Sequence, residues 1–408
     1  MTPNPLAWLR RQADGIADDR VLRLYGVALA AAHAITWLDW TSRDPIARYV
    51  ARGMDPICWP FWESCGDFRF LTLARADAVL WGYLALAVAT GAAFLARRTA
   101  RLGYAGLVLL ECLHLAIVAQ DFRLRMNQHY MLAWIVLAYL FGPARRALLP
   151  ALLASFYFWA GVLKLDREWL SGAALYHTDR FWVPAPLIPA SCAYVVVLET
   201  VVVFGIFSRR AWLFWVTLAQ LATFHVFSWA IVGFYYPLLM FALLSILVLA
   251  RTLDGPEGWP SPGLVGRHLR SIAPALVAFA ALQLVPYAFP GDTALTGEGR
   301  LFALNMFDAR VVCEAGLVVH RDGGKDQAVP LRPRGLAQRI ACDPISYFAM
   351  ARAQCGRLAA TAGFRDFDLH LRSRRTSDPE LRDVVDVKDF CAAGLTYDMW
   401  RPNDWIRK

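Results

Sequence analysis

The stretch Ala151-Leu-Leu-Ala-Ser-Phe-Tyr-Phe-Trp-Ala-Gly-Val-Leu163 runs uncharged into Lys164. A run this apolar belongs among lipid tails or in a large core, and it ends on a group that can carry a proton. The chain has four lysines, and Lys164 is the only one in the first 289 residues. The other permanently basic residues there are arginines. A desolvated lysine can lose its proton, whereas an arginine effectively cannot. Lys164 is therefore a candidate proton carrier at a helix end. The competing reading is a lysine whose stem snorkels its head to the membrane surface.

The rest of the chain repeats the pattern. Of its 408 residues, 58% are hydrophobic, and long apolar runs alternate with short arginine-bearing loops. That is the signature of a polytopic α-helical membrane protein. Nine spans are expected, at 21–41, 76–96, 103–120, 130–143, 147–164, 190–208, 211–229, 234–250 and 271–289. The fourth is the weakest, because Gly142-Pro143 breaks it early. Residues 1–20 form a polar N-terminal segment with Trp8 and Leu9 as an interfacial anchor.

Arginines set the expected orientation. Arg10, Arg11, Arg20, Arg97, Arg98, Arg101, Arg145, Arg146, Arg209, Arg210 and Arg251 fall on one set of loops. The positive-inside rule makes those loops cytoplasmic, with the N-terminus inside and the C-terminus outside a bacterial-type inner or plasma membrane. The opposite loops carry Arg43, Arg48, Arg52, Arg123 and Arg125, so the bias is real but mixed. Loop arginines account for the net charge of +9, and no nucleic-acid motif is present. The arginine-bearing loop 251–270 reads as a Pro- and Gly-containing connector.

The membrane domain is expected over 21–289 and an extracytoplasmic mixed α/β domain over 290–408. Strands are expected at 301–307, 311–320, 327–331 and 367–372, and a helix at 345–360. Six cysteines, Cys58, Cys65, Cys313, Cys342, Cys355 and Cys391, fall on the expected outer side, an even number that fits disulfides in an oxidising compartment. Cys58 and Cys65 share one short loop. The other four allow three pairings. Cys112 and Cys192 read as ordinary buried thiols. No pair has C-x-x-C spacing, so no metal site is expected.

Several ionisable groups lie within the spans or at their ends: His33, Glu111, His114, His129, Lys164, Glu199 and His225. Such groups at membrane depth face a partner or a cavity. His33 has no motif around it and reads as a satisfied core histidine. Glu111 and His114 stand i, i+3 on one helix face, where a structural pair that fixes packing is the favoured reading. His129, in Met126-Asn-Gln-His-Tyr-Met131, and Lys164 are expected at similar depth on adjacent helices, the imidazole orienting the amine.

Tyr157-Phe-Trp-Ala-Gly-Val-Leu-Lys164-Leu-Asp-Arg-Glu-Trp169 resembles a signature of the vitamin K-dependent γ-glutamyl carboxylases, whose bacterial relatives are grouped as horizontally transferred transmembrane domain proteins. Asn127-Gln-His129 resembles that family's Asn-Asn-His segment, with Gln128 in place of the middle residue. Phe224-His225 resembles its Phe-His segment, though Val-Phe-Ser-Trp follows. Glu199 resembles the glutamate of its Leu-Glu helix. The resemblance implies Lys164 as the base that deprotonates a reduced naphthoquinone, with His129 in support. It implies contacts to the quinone from Asn127, Gln128, Tyr157, Trp159, Glu199 and His225. The quinone, a reduced vitamin K or menaquinone-type hydroquinone, then reacts with oxygen. The strong base so formed removes a glutamate γ-proton from a peptide or protein, and carbon dioxide is captured. No metal is implied.

Two other classes compete. One is a non-catalytic membrane assembly or peptide-maturation protein whose outer domain binds a partner. The other is a thiol-disulfide enzyme using Cys58 and Cys65. Pro60 and Trp62 between those cysteines suit a stapled loop better than a redox turn.

Overall fold

The computed structural model describes residues 4–42, 46, 56–62, 64–173, 175, 182–255, 262–304, 311–331 and 340–408. Within them lies a helical bundle: α1 (Pro5–Asp18), α2 (Arg20–Ser42), α3 (Ala76–Leu95), α4 (Ala100–Ala119), α5 (Asn127–Phe141), α6 (Arg145–Val162), α7 (Ile188–Thr200), α8 (Ala211–Val232), α9 (Tyr235–Leu253) and α10 (Pro262–Leu284). Seven helical segments among the described residues are long and apolar enough to cross a membrane: α2, α3, α4, α7 with its flanking 3-10 turns, α8, α9, and α10 with the turn after it.

Two of the nine expected spans fall short of that standard. α5 has 15 residues and stops at Gly142. α6 spends its first turn on Arg145 and Arg146 and holds Pro150 inside. Both are largely buried among the other helices. A helix wrapped by protein hydrogen-bonds its backbone without touching lipid, so it is excused from a full apolar length. The connector expected over 251–270 is also shorter, because α9 continues to Leu253 and α10 begins at Pro262. Residues 256–261 of that connector lie outside the described residues.

The two ends of the bundle differ in chemistry. At one end arginines tie neighbouring helices together. Arg97 bonds Asp18 at 2.6 Å, Arg146 bonds Asp19 at 2.7 Å, and Arg251 donates to the Arg209 carbonyl at 3.0 Å. The N-terminal segment joins this end as α1, capped by Asn4 and Pro5, with Trp8 stacked 5.9 Å from Phe141. At the other end the Phe122 N–H donates to the Ile57 carbonyl at 2.7 Å and Trp59 donates to Val118 at 2.9 Å. Of the arginines expected on outer loops, Arg43, Arg48 and Arg52 lie outside the described residues.

On that second end sits an antiparallel sheet of order β2-β1-β3-β4, made of β1 (Val311–Arg321), β2 (Gln327–Pro330), β3 (Phe364–Arg375) and β4 (Arg382–Val387). Helix α11 (Pro344–Leu358), N-capped by Asp343, covers it. Its core of Leu317, Val319, Phe367, Leu369, Leu371 and Val385 also takes in Ile57 and Phe122 from the bundle loops. Of the strand expected at 301–307, residues 301–303 are turn and bend and 304 is irregular, while 305–307 lie outside the described residues. β4 went unforeseen because Arg382 and Asp383 mask its short Val384-Val385 core.

Among the described residues three disulfides form: Cys58–Cys65, Cys313–Cys342 and Cys355–Cys391. Cys192 is buried as expected, but Cys112 is exposed on the outer surface of α4. Non-reducing peptide mapping should recover these three bonds and find Cys112 and Cys192 as the alkylatable thiols. The Cys355–Cys391 bond closes 36 residues. Replacing both partners by Ser should therefore cost on the order of 4 kcal/mol by loop closure, read as a lower melting temperature of the sheet domain.

A surface cluster gives this domain a pH window. His320 bonds Asp326 at 3.0 Å and Asp368 at 3.1 Å, and both bonds raise its pKa. Burial would raise Asp368, but Lys388 at 2.8 Å and His320 outweigh it and hold the carboxyl at about 2. The Asp368 contribution is present above the unfolded value of about 3.9 and lost as pH falls through its folded value. The His320 contribution is present below about 6.5 and lost as pH rises through its raised value. The domain should melt highest between about pH 4 and 6.5, and His320→Gln should flatten the alkaline decline.

Candidate active site

The end of α6 builds the site. Helix α6 carries Tyr157 and Gly161 and closes with the Lys164 N–H donating to the Gly161 carbonyl at 3.1 Å. The chain then turns. The Asp166 carboxylate accepts from Trp169 N at 2.8 Å and caps the short helix Arg167–Leu170. Trp169 docks that turn on α7 by donating to the Cys192 carbonyl at 2.9 Å.

Gly161 lets α7 come close. A Cβ there would meet Thr200 Cγ2 at 2.7 Å and Glu199 Cβ at 2.9 Å. That approach brings Glu199 to Lys164, whose Nζ donates to the two carboxylate oxygens at 2.6 and 2.5 Å. Lys164 is 3% exposed and Glu199 0%. The Nζ also lies 5.5 Å from the Trp169 ring centroid and 5.8 Å from that of Phe224, so aromatic faces flank the ammonium position. The sequence did not anticipate this pair: Glu199 was expected as a quinone contact, and it is the lysine's partner.

His225 lies in the same region. Its Nε2 bonds the Tyr157 hydroxyl at 2.5 Å, and its Nδ1 is buried with no hydrogen-bond partner among the described residues. An electrostatic interaction links His225 to Lys164 and Tyr157 to Glu199.

His129 is drawn elsewhere. Its Nδ1 meets His114 Nε2 at 3.0 Å and the Tyr235 hydroxyl at 3.1 Å, and Trp40 donates to its Nε2 at 3.4 Å. It thus belongs to a second buried network, on α2, α4, α5 and α9. Glu111 and His114 share a face as expected, 3.4 Å apart. His33, expected as an isolated core residue, joins them, 2.6 Å from the Tyr83 hydroxyl and 3.7 Å from Glu111. Nothing in the sequence around His33 signals that membership. Asn127 and Gln128 are buried in the first turn of α5, with Gln128 Oε1 lacking a hydrogen-bond partner among the described residues. The Trp159 ring packs 5.6 Å from Phe158.

Two cavities flank the lysine turn. One, of about 440 Å³, lies between α7 and α8 and is lined by Trp169, Cys192, Leu198, Phe224 and Phe227. Tyr194 and Val216, also on its wall, are exposed, so it opens sideways on the bundle surface. The other, of about 570 Å³, lies towards the sheet and is lined by Leu163, Leu165, Asp166, Asp292, Arg300 and Arg375. Arg375, at the end of β3, bonds Asp292 at 2.6 Å and Asp166 at 3.3 Å, and lies 3.8 Å from Glu168. Burial would raise the Asp292 carboxyl, but the Arg375 hydrogen bond and charge hold it below its ordinary value. Glu168 also accepts from the Thr376 N–H at 3.1 Å. The sheet domain is thereby tied to the residues that follow Lys164.

Comparison with protein families, with characterised proteins and with solved structures finds no match to this chain.

Proposed function

We propose that this chain is a membrane enzyme of the vitamin K-dependent carboxylase type, working on a reduced naphthoquinone and an extracytoplasmic glutamyl peptide. The observation that carries the reading is the buried Lys164–Glu199 pair, whose neighbours line two unlike cavities: Leu198, Trp169 and Phe224 one, Leu163 and Leu165 the other. The sideways-opening cavity is apolar, aromatic and within the ~300–1,000 Å³ range of small-molecule sites, which suits a quinone arriving from lipid. The cavity on the sheet side presents arginines and carboxylates, which suits a charged peptide.

When bound, the reduced quinone would supply the oxygen-driven base strength needed to remove a glutamate γ-proton before carbon dioxide is captured. The chain's own residues move one proton. Lys164 Nζ takes the hydroquinone hydroxyl proton while it passes one of its own to a Glu199 carboxylate oxygen. The donor bonds of 2.6 and 2.5 Å make that transfer direct. Trp169 and Phe224 exclude water from the pair, and Tyr157 orients His225, whose buried Nδ1 has no hydrogen-bond partner among the described residues. His129, bonded to His114 and Tyr235 in the second network, is not given a part in this transfer. The nine expected segments cross the membrane, with α5 and α6 enclosed by the others, and the arginine-tied end is cytoplasmic. The sheet domain then stands outside.

A second reading keeps a specific observation of its own. A two-oxygen ion pair this short also serves as a structural tie between α6 and α7. In that case the chain is a non-catalytic assembly or peptide-maturation protein.

Topology can be read with reporter fusions: one after Lys408 should be active outside, one within 256–261 inside. A cytoplasmic Lys408 would overturn the assigned orientation. Chemistry separates the two readings. Lys164→Arg keeps the ion pair but has no accessible neutral form. The variant should insert normally and lose naphthoquinone epoxidation in detergent by at least about 100-fold. Lys164→Ala strands a buried carboxylate, at about 3–5 kcal/mol, so Lys164→Ala with Glu199→Gln is the better-folded null. Glu199→Gln alone should also abolish epoxidation, since an amide cannot accept the relayed proton. Full activity in Lys164→Arg would end the catalytic reading.

A further inference from the structure

We propose that His33, Glu111 and His114 hold a divalent transition-metal ion, zinc or iron(II), inside the bundle between α2 and α4. The three side chains are 0%, 2% and 0% exposed. One ligand atom from each lies within 4.8 Å of the others. His33 Nε2 is 3.7 Å from Glu111 Oε2, and His114 Nδ1 is 3.4 Å from it. Ligands about 2.0–2.2 Å from a tetrahedral ion sit about 3.3–3.6 Å from each other, so the spacing is already close to a coordination shell.

Two atoms of the cluster point to something between them. His33 Nε2 and Glu111 Oε2 are buried, face each other, and have no hydrogen-bond partner among the described residues. At 3.7 Å they are too far apart to satisfy one another. Buried polar atoms left like this call for a ligand. The far nitrogens are already engaged, as in metal sites with oriented histidines. His33 Nδ1 can donate to the Tyr83 hydroxyl at 2.6 Å, freeing Nε2. His114 Nε2 can donate to His129 Nδ1 at 3.0 Å, freeing its own Nδ1; this puts the His129 proton on Nε2 and gives up the 3.4 Å hydrogen bond from Trp40, so the ion must outweigh that bond.

The sequence has the matching form. Glu111-Cys-Leu-His114 is the i, i+3 Glu-x-x-His arrangement with which helical bundles present metal ligands inward, and α2 adds the third ligand. Two imidazoles and one carboxylate suit zinc or iron(II) better than magnesium or calcium. The opposite tautomer assignment gives a network without an ion. Trp40 would donate to His129, His129 to His114, and His114 to Glu111.

The full-length chain, purified in detergent without chelator, should carry about one zinc or iron per molecule by elemental mass spectrometry. After stripping, cobalt(II) should bind with equal stoichiometry and give ligand-field bands of a nitrogen- and oxygen-bound ion. His114→Ala and Glu111→Gln should lose the ion. Tyr83→Phe keeps every ligand and should weaken cobalt binding about 10–100-fold, which covers the case in which the ligand variants fail to fold. A wild-type protein that holds no metal as purified and takes up no cobalt overturns the proposal. So does a folded His114→Ala that keeps its metal. Neither readout depends on quinone chemistry.

Discussion

A lysine and a glutamate removed from water must stay together, and the surroundings of Lys164 follow from that constraint. Each ion alone would face a desolvation cost of several kcal/mol. Together they are tolerated only where geometry is tight. Gly161 supplies the close helix approach, and Trp169 anchors the turn on α7. The helix end is then fixed from outside by Arg375, which reaches Asp166 and Asp292. A bundle interior, a reverse turn and a sheet on the far side of the loop are thus coupled through the eight residues that follow Gly161, up to Trp169.

Enclosure explains why the bundle departs from a simple count of apolar runs. The membrane imposes length only on helices that meet lipid. α5 and α6 meet mainly other helices, so they can be short, begin with arginine or contain proline. These same two helices carry Gln128, His129, Tyr157 and the approach to Lys164. His33, Glu111, His114, Glu199 and His225 lie instead on helices long enough to meet lipid, and each is buried on the inward side.

Much of this was legible in the sequence, and the misses have physical causes. Apolar runs and arginine loops located every helix of the bundle beyond α1, because burial and backbone satisfaction leave a strong pattern. Cysteine counting foresaw the disulfide framework, while the partners of four cysteines needed the fold of the sheet. The lysine stretch singled out Lys164, while the turn after it and the docking of Trp169 on α7 were not foreseen. It could not identify Glu199 as the partner, since 35 residues separate them and the close approach at Gly161 that brings their helices together leaves no spacing signal. His129 was expected beside Lys164 from depth alone. Depth does not fix azimuth, and the ring turns towards α4 and α9 instead. His33 was passed over for the same reason: a single histidine on a helix carries no spacing to read.

The interior therefore holds two polar networks of different composition. Around Lys164 the groups are one amine, one carboxylate, a tyrosine and a histidine, beside an open cavity. Around Glu111 they are three histidines and one carboxylate among Tyr83, Trp40 and Tyr235, all buried. A proton-moving site must exchange with a ligand, so it belongs at a helix end next to a cavity. A site that holds its contents benefits from the opposite, ring nitrogens fixed by hydroxyls and no route to lipid. Placing the short helix α5 between them lets His129 belong to the enclosed network while its neighbours Asn127 and Gln128 stay at the helix mouth. The separation also limits interference, because two buried carboxylates within one network would raise each other's cost of ionisation.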